Sequence, residues 1–206
     1  MADRSVLAVF VKAPVPGHVK TRLAAAIGSR RAAALYRRIA HATVRAAGRG
    51  AHQTVVWYAP PGHGSVVRAW LEGTGVLRFE PQPAGDLGGR LAAMFACHFQ
   101  EGAGRVVAIG SDCPGLEPRL IESAFDALGR RDVVLGPAHD GGYYLIGLRA
   151  PAAPLFQGIA WSSSRVFGET VARLRALRLS HQLLPALRDL DTLADAHALG
   201  LLEPAR

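Results

Sequence analysis

The segment Gly110-Ser111-Asp112-Cys113-Pro114-Gly115-Leu116 follows a short apolar run, residues 105–109, that is rich in β-branched side chains. Such a run predicts a buried strand, most simply a parallel one. The strand ends at a glycine, an acid follows two residues later, and Pro114 and Gly115 turn the chain toward a helix. A carboxylate at the carboxyl end of such a strand lies where open α/β sheets bind ligands, and it can hold a hard cation there. Alternatively, Asp112 caps the next helix, and the local sequence supports both interpretations equally.

Strands and helices alternate outward from this segment. Apolar runs predict strands at residues 5–11, 53–58, 75–79, 105–109, 132–137 and 181–184, with a further strand after residues 141–142. Amphipathic spacing and end signals predict helices at residues 30–47, 65–71, 87–100, 117–128, 165–178 and 193–199. The core side of the first helix is expected to carry Leu35, Ile39, Ala42 and Ala46. The alternation predicts one three-layer α/β/α domain over residues 1–206, with a mixed, mostly parallel sheet.

The composition is that of a globular protein. Half of the 206 residues are apolar and 19% are charged, which argues against disorder. There is no apolar run of about eighteen residues, the length that a membrane span needs, and no signal-peptide pattern at residues 1–4. We therefore expect a cytoplasmic protein without a membrane partner. Cys97 and Cys113 do not make a disulfide framework.

The net charge of +8 comes mostly from arginines that are scattered through helical segments. The chain has no dense basic run, no zinc-finger spacing and no series of stacking aromatics, so we expect no nucleic-acid partner. A basic balance also suits small molecules that carry phosphate. The sequence gives no indication of an oligomeric state.

The loop after the first strand, residues 12–23, combines helix breakers with three cations. Pro14 and Gly17 prevent regular structure, and Lys12, Lys20 and Arg22 lie close together in the sequence. Cations and exposed backbone N–H groups at a strand-to-helix turn make an anion site. The spacing matches neither a P-loop nor a dinucleotide fingerprint. We favour phosphate binding by this loop over an ordinary loop with solvated lysines.

A second loop with several glycines, residues 80–91, follows the third predicted strand. Gly85 and its neighbouring glycines allow close backbone approach to a ligand. Gln82 has the donors and the acceptor to read a base or sugar edge. Asp86 is either part of this binding surface or the N-cap of the following helix, and the cap is the better interpretation for Asp86 alone.

Asp140 stands beside two glycines at a strand edge. Gly141 and Gly142 provide either a binding surface or only a tight connection. His139, just before them, is either an acid, base or ligand, or a solvent-facing loop residue. We expect Asp140 to lie at the carboxyl edge of the sheet with the other loop residues.

Asp189 and Asp191 lie two residues apart after the last predicted strand. An extended segment would turn both carboxylates the same way, although Asp191 or Thr192 alone could be a helix cap. Because strand ends converge on one edge of a parallel sheet, we expect a metal–nucleotide site there. Its expected members are Lys20, Arg22, Gln82, Asp112, Asp140, Asp189 and Asp191.

Several blocks in a fixed order resemble an uncharacterised bacterial family that is glycosyltransferase A-like and of the arsenosugar-biosynthesis type. The blocks are residues 11–23, Gly85-Asp86-Leu87-Gly88 with Arg90, Gly110-Ser111-Asp112-Cys113-Pro114, His139-Asp140-Gly141-Gly142-Tyr143-Tyr144 and Trp161-Ser162. The opening loop is also similar to that of phospholactate guanylyltransferase, and Asp189-Leu190-Asp191-Thr192 is similar to an Asp-x-Asp-Thr block of that relative. The chain departs from these patterns in two ways. Asp112 is the one acid where glycosyltransferases have Asp-x-Asp, and a proline-containing loop replaces the glycine-rich opening of nucleotidyltransferases.

The resemblance implies the nucleotide-diphospho-sugar transferase fold, which is GT-A-like and Rossmann-like, and a transferase acting on a nucleotide-activated substrate. The leading hypothesis is glycosyl transfer from a nucleotide-sugar to a small acceptor. The alternative is a nucleotidyltransferase that uses a nucleoside triphosphate and releases pyrophosphate. A third possibility is a non-catalytic nucleotide-binding subunit.

The leading hypothesis gives each candidate residue a role. Mg²⁺ or Mn²⁺ would be held by Asp112 with Asp189 or Asp191. Lys20 and Arg22 would stabilise charge on phosphate oxygens, and Asp140 would bind the sugar or activate the acceptor hydroxyl. The expected nucleotide- or substrate-binding residues are Lys12, Pro14, Gly17, Gln82, Gly85, Asp86, Ser111, Gly141, Gly142 and Trp161.

Overall fold

Seven strands form one mixed sheet in the computed structural model, which describes residues 4–203. The strands are β1 Ser5–Lys12, β2 Gln53–Ala59, β3 Arg78–Pro81, β4 Arg105–Gly110, β5 Val133–Pro137, β6 Tyr143–Leu148 and β7 His181–Leu183, in the spatial order β3-β2-β1-β4-β6-β5-β7. Only β6 runs antiparallel to its two neighbours among these strands. Most of residues 1–4, where we see no signal-peptide pattern, lies outside the described part.

Seven α-helices and two short 3-10 helices accompany the sheet in the described part of the chain. The helices are α1 Thr21–Ile27, α2 Ser29–Ala47, α3 Gly64–Trp70, α4 Leu87–Gln100, α5 Pro118–Ala127, α6 Val166–Ala176 and α7 Leu193–Ala198, and the 3-10 helices are Pro61–His63 and Ala153–Phe156. No helix formed by residues 4–203 combines the length and the apolar character needed to cross a bilayer.

The sheet is covered on both faces, which confirms the expected three-layer architecture. Alternate strand residues point to opposite faces. Val9 and Val107 belong to a buried cluster with side chains of α2, α3 and α5, whereas Val6 and Val106 belong to a second cluster with α4 and α6. A third, smaller cluster joins α1 and α7 to the outer side of α2.

The centre of the sheet brings the opening loop next to the Asp112 turn. β1 pairs in parallel with both β2 and β4, so that Phe10 is opposite Trp57 on one side and Gly110 on the other. The chain moves outward through β2 and β3 on one side of β1, and continues with β4 on the other side. Such a reversal of strand order leaves a crevice at the carboxyl ends of the central strands.

Three predictions about the secondary structure are wrong, and the structure shows the reason for each. The third strand is Arg78–Pro81 and not residues 75–79, because Thr74 and Gly75 still belong to the turn after α3. The segment expected to be loop, residues 12–23, ends in the first residues of a seven-residue helix, α1. The apolar side of α1 packs with side chains of α2, α7 and the neighbouring C-terminal segment, among them Leu190.

The third error concerns the buried face of α2. Leu35 and Ile39 are buried as expected, but they contact α1 and α7, and Ala42 is exposed. The face toward the sheet carries Tyr36, Ala40 and Val44. α2 therefore buries two faces, one against the sheet and one against α1 and α7. The prediction identified the face toward α1 and α7.

Gly147, in the middle of β6, tests how tightly the sheet is packed. A Cβ at this position would lie 2.6 Å from Val134 Cγ1 and 3.0 Å from Val107 Cγ2 and Leu128 Cδ1. We expect Gly147→Ala to lower the free energy of unfolding by about 1–3 kcal/mol, because overpacking a buried site displaces its neighbours. Urea denaturation provides the measurement.

Gly168→Ala is the matched control for this substitution. Gly168 lies in α6 with nothing within 4 Å of an added Cβ, so alanine should raise the free energy of unfolding by about 0.5–1 kcal/mol. Equal effects of the two substitutions would contradict the packing argument.

Candidate functional site at the carboxyl edge of the sheet

Lys20 connects three separate parts of the chain. It immediately precedes α1 in a left-handed conformation, with φ 49°. Its Nζ donates to Asp112 Oδ2 at 2.6 Å and to Asp191 Oδ1 at 2.8 Å, and its side chain is only 7% exposed. The opening loop, the Asp112 turn and the C-terminal segment therefore meet at one buried ammonium group.

The charges around Lys20 outweigh its burial. Burial by itself disfavours the ammonium form and lowers the pKa, but the charges of Asp112 and Asp191 raise it, and the net result is a pKa above the ordinary value. Lys20 is therefore a permanent cation at neutral pH. Arg22 Nη1 adds a second, weaker contact to Asp191 at 3.7 Å, from a largely exposed side chain.

Backbone hydrogen bonds bring the C-terminal segment to Asp112. After β7 the chain continues along β5, where Leu187 N–H donates to Pro137 O at 3.1 Å and His139 N–H donates to Leu187 O at 3.0 Å. Leu190 N–H then donates to the carbonyl of Asp112 at 2.9 Å. These bonds, and not the loop's own sequence, place the two C-terminal aspartates beside Asp112.

The first turn of α7 fixes the same segment from the other side. Thr192 is the N-cap and accepts from Asp195 N–H at 3.2 Å, and Asp195 Oδ2 accepts from Thr192 N–H at 2.9 Å. This is a capping box. The helix cap that was an alternative role for Asp191 belongs to Thr192.

Asp189 is the least compensated acid of the group. Its Oδ1 is buried without a hydrogen-bond partner. Burial, followed by the nearby charges of Asp112 and Asp140, raises the pKa of Asp189 to about 7. The adjacent Cys113 thiol also has a raised pKa, because it is buried and lies near Asp189 and Asp112. This region holds more negative charge than its cations balance.

Two adjoining cavities open at this edge. The larger is about 980 Å³ and the smaller about 580 Å³. Lys12, Lys20, Gln82, Gly85, Asp86, Arg90 and Ser111 line the larger one alone. Asp140, Gly142 and Asp189 line the smaller one alone. Arg22, Asp112, Trp161 and Asp191 line both.

Gln82 lies in the wall of the larger cavity, but its amide is already used by the protein. Its Nε2 donates to Trp57 O at 2.9 Å and to Val11 O at 3.2 Å, and its Oε1 accepts from Arg90 Nη1 at 3.1 Å. Gln82 therefore has no free N–H with which to read a base. It instead orients Arg90, whose Nε also donates to Gly85 O at 3.0 Å.

Arg90 and Tyr36 are site residues for which no role was predicted from the sequence. Arg90 has no carboxylate partner among residues 4–203, so its charge faces the larger cavity. Tyr36 OH accepts from Lys12 N–H at 2.9 Å and lies 3.1 Å from Ser111 Oγ, which joins the ends of β1 and β4. Tyr36 could have been identified from the sequence as a candidate site residue, because the other residues of α2 that face the sheet are small or aliphatic.

Some predicted site residues lie elsewhere or have structural roles. Pro14, Gly17, His139 and Gly141 line neither of these two cavities. Gly141 has φ +90°, and an added Cβ would collide with the backbone of Ser164, so a tight connection explains this glycine. Asp86 accepts from Gly89 N–H at 2.8 Å and caps α4 as expected, and it also lies at the rim of the larger cavity.

Asp112, Asp189 and Asp191 do not form a closely spaced metal-ligand trio in this conformation. In residues 4–203 such a trio occurs only at Cys97, His98 and Glu101, whose ligand atoms lie within 4.8 Å of one another. That trio is part of a structural network, because Glu101 pairs with Arg78 and His98 Nε2 accepts from Trp57 Nε1. At the sheet edge, Asp191 is instead engaged by Lys20 and Arg22.

The family model described as "Uncharacterized protein conserved in bacteria", DUF2064, matches residues 42–163. This range contains β2 to β6 and the turns that carry Asp112 and Asp140. The chain belongs to the DUF2064 family. Among curated proteins, none matches this sequence.

Solved structures show the same fold. A Desulfovibrio desulfuricans G20 protein, provisionally described as a nucleotide-diphospho-sugar transferase, has 36% sequence identity and a TM-score of 0.90, over 95% of this DUF2064 chain and 85% of its own. A CMP:2-keto-3-deoxy-manno-octonic acid synthetase complexed with CTP has 13% identity and a TM-score of 0.58, over 97% and 100% of the two chains.

A third structure of this fold is the glucosyl-3-phosphoglycerate synthase of Mycobacterium tuberculosis, in complex with Mn²⁺, UDP and phosphoglyceric acid. It has 10% identity and a TM-score of 0.56, and the alignment covers 96% of this chain and 74% of that one. The DUF2064 chain therefore has the nucleotide-diphospho-sugar transferase fold, as the resemblance implied.

The raised pKa of Asp189 gives a pH dependence of stability with a defined sign. Its folded-state pKa, about 7, exceeds the ordinary 3.8, so between these values the folded protein binds more protons than the unfolded chain. The contribution of Asp189 to the free energy of unfolding should fall, by on the order of 2 kcal/mol, as the pH rises from about 4 through about 7. Urea denaturation in a metal-free buffer with a chelator measures this.

Asp189→Asn should remove this contribution, so that the difference between the wild-type and variant pH profiles follows the titration of Asp189, and the variant should be the more stable protein at about pH 8. The control is Asp126→Asn, which alters an exposed aspartate of α5 and should keep the wild-type slope. Parallel pH profiles of the free energy of unfolding for wild type and Asp189→Asn would show that the pKa of Asp189 is not raised in the folded protein.

Proposed function

We propose that this DUF2064 protein is a metal-dependent transferase that acts on a nucleotide-activated substrate, and that it transfers a glycosyl group from a nucleotide-sugar to a small acceptor. One observation carries the proposal. A buried cation held by Asp112 and Asp191 lies near Asp189, whose Oδ1 is buried without a hydrogen-bond partner, where a cavity of about 980 Å³ adjoins one of about 580 Å³. The fold and the 36%-identical relative support the same conclusion.

The donor set supports a divalent ion with oxygen ligands. Asp189 Oδ1 is buried without a partner, and Asp112 is adjacent enough to raise the pKa of Asp189. Mg²⁺ is commonly held by one or two carboxylates together with substrate phosphates, so a protein trio is not required. Asp112 and Asp189 would hold the ion, and Asp191 would position Lys20. When bound, the ion would neutralise charge on the diphosphate.

The cations of the larger cavity would bind the phosphates. Lys20 has a fixed position between two carboxylates, and Arg22 and Arg90 lie in the first turns of α1 and α4 beside the cavity. Arg90 is held by Gly85 and Gln82, which keeps its guanidinium oriented. Preorganised donors of this kind stabilise charge that develops in a transition state without reorganising.

Asp140 would act on the acceptor side. Its Oδ1 accepts from Gly142 N–H at 2.8 Å, which fixes the carboxylate at the wall of the smaller cavity. Its second oxygen has no partner among the residues that the structure describes. A carboxylate in this position can accept a proton from an acceptor hydroxyl or bind a sugar hydroxyl.

Nucleotidyl transfer is the second candidate. The Asp189-Leu190-Asp191-Thr192 block and the CTP-bound synthetase of the same fold favour it. In that reaction the cations would bind a triphosphate, and pyrophosphate would leave. Release of pyrophosphate therefore distinguishes the two reactions.

A thermal-shift panel tests the proposed function. We expect a UDP-, GDP- or dTDP-sugar to raise the melting temperature in the presence of Mn²⁺ but not with a chelator, because a ligand stabilises the state that binds it. Nucleoside triphosphates are the competing set. A transferred sugar without pyrophosphate supports the glycosyl reaction, pyrophosphate supports the alternative, and no nucleotide-dependent shift would rule out both.

Two matched substitutions separate the roles of the C-terminal aspartates. Asp189→Asn should weaken Mn²⁺ binding by about 10-fold or more, because it removes a proposed ligand. Asp191→Asn should leave Mn²⁺ affinity within about threefold and instead weaken nucleotide binding, since it releases Lys20. Calorimetric titration of each variant with MnCl₂ measures this, and the reverse ranking would assign the metal to Asp191.

A further inference from the structure

The smaller cavity differs in character from the larger one, and this difference bears on the second substrate. Its floor is formed by side chains from the central strands, among them Phe10, Ala108 and Ile146. Leu87 and Leu91 of α4 form one side, and Trp161 forms another. Leu87 remains 44% exposed although it is a large apolar side chain at the mouth of both cavities.

Trp161 is held in place by close packing. An added Cβ on Gly88 would collide with the indole Nε1, so the glycine lets the ring lie against the first turn of α4. The ring also contacts Tyr143 edge-on, with 6.3 Å between centroids. Its N–H has no hydrogen-bond partner among residues 4–203, so the indole offers both an apolar face and one free donor.

The charged groups of this cavity are mostly carboxylates. Asp112, Asp140, Asp189 and Asp191 line it, and Arg22 is its one lining cation among the described residues. Arg22 is already directed to Asp191. Lys12, Lys20 and Arg90 line the larger cavity and not this one. Lys20, which lines only the larger cavity, pairs with Asp112 and Asp191, and an ion held as proposed would balance Asp112 and Asp189. Asp140 has no ion pair among the described residues, so a phosphate or carboxylate beside it would meet a like charge without a dedicated cation.

We infer that the acceptor bound in the smaller cavity is an uncharged hydroxyl compound with an apolar or ring-shaped body, and not a phosphorylated or carboxylated one. That the bound compound is an acceptor rests on the proposed function. The preference for an uncharged compound follows from the cavity lining alone. Leu87 and Trp161 provide the apolar contact, and Asp140 accepts a hydrogen bond from a hydroxyl. Asp140, whose charge no described cation balances, disfavours anions.

A matched pair of probes tests the preference. Phenyl β-D-glucopyranoside and phenyl β-D-glucuronide differ only at C6, where the second carries a carboxylate. We expect the full chain to bind the glucopyranoside about tenfold more tightly, because the glucuronide carboxylate meets the aspartates. Calorimetric titrations without nucleotide measure both affinities. Equal or tighter binding of the glucuronide, or no binding of the glucopyranoside, would overturn the inference.

Two variants connect the preference to the named residues. Leu87→Ala should weaken binding of the glucopyranoside by about three- to tenfold, because apolar contact is lost. Leu77→Ala changes an exposed leucine that does not line the cavity, and it should leave this affinity unchanged. Asp140→Asn should reduce the tenfold discrimination to about twofold. Unchanged discrimination in Asp140→Asn, or equal effects of the two leucine substitutions, would also overturn the inference.

The nucleotide panel keeps the two conclusions separable. Mn²⁺-dependent nucleotide binding without any preference for the glucopyranoside would support the proposed function and contradict the inferred class of acceptor. A clear preference in a protein that binds no nucleotide supports the cavity assignment and removes the transferase proposal.

Discussion

The contact between the Lys20 ammonium group and the carboxylates of Asp112 and Asp191 is the constraint on which the functional edge depends. A buried cation without a counter-charge costs several kcal/mol, so each of its partners must stay in place. These partners lie on loops that are 92 and 171 residues away in sequence. One amine thus fixes the relative positions of the opening loop, the Asp112 turn and the C-terminal segment.

The charged side chains at this edge are distributed unevenly between the two cavities, so the two sides of the site differ in the ligands that they favour. Lys12, Lys20 and Arg90 line the larger cavity, whereas Asp140 and Asp189 line only the smaller one. In the proposed reaction, anionic phosphates would bind on the first side and hydroxyl groups on the second. The carboxylates of Asp112 and Asp191 lie on the boundary between the two, where a transferred group would have to pass.

The strand order explains why distant family blocks meet. The reversal between β1 and β4 opens the crevice. β5 then returns the chain to the same edge, so that the turn before the antiparallel β6 carries Asp140 into the smaller cavity. Gly88 and Trp161 belong to separate blocks of the sequence, but the absence of a side chain on one makes room for the indole of the other. Their pairing is a packing requirement as well as a boundary of the site.

The sequence by itself determined the fold class, most strand and helix positions, and the convergence of Lys20, Asp112, Asp140, Asp189 and Asp191 on one edge. These follow from local periodicity and from the rule that parallel strands present their carboxyl ends together. It could not determine how the members pair. The pairing depends on the distances that strand order and backbone hydrogen bonds impose. This holds for the two partners of Lys20, for the unpartnered Oδ1 of Asp189 and for the use of the Gln82 amide by two backbone carbonyls. The same limitation caused the error in α2, since periodicity shows that a face is apolar but not which neighbour covers it.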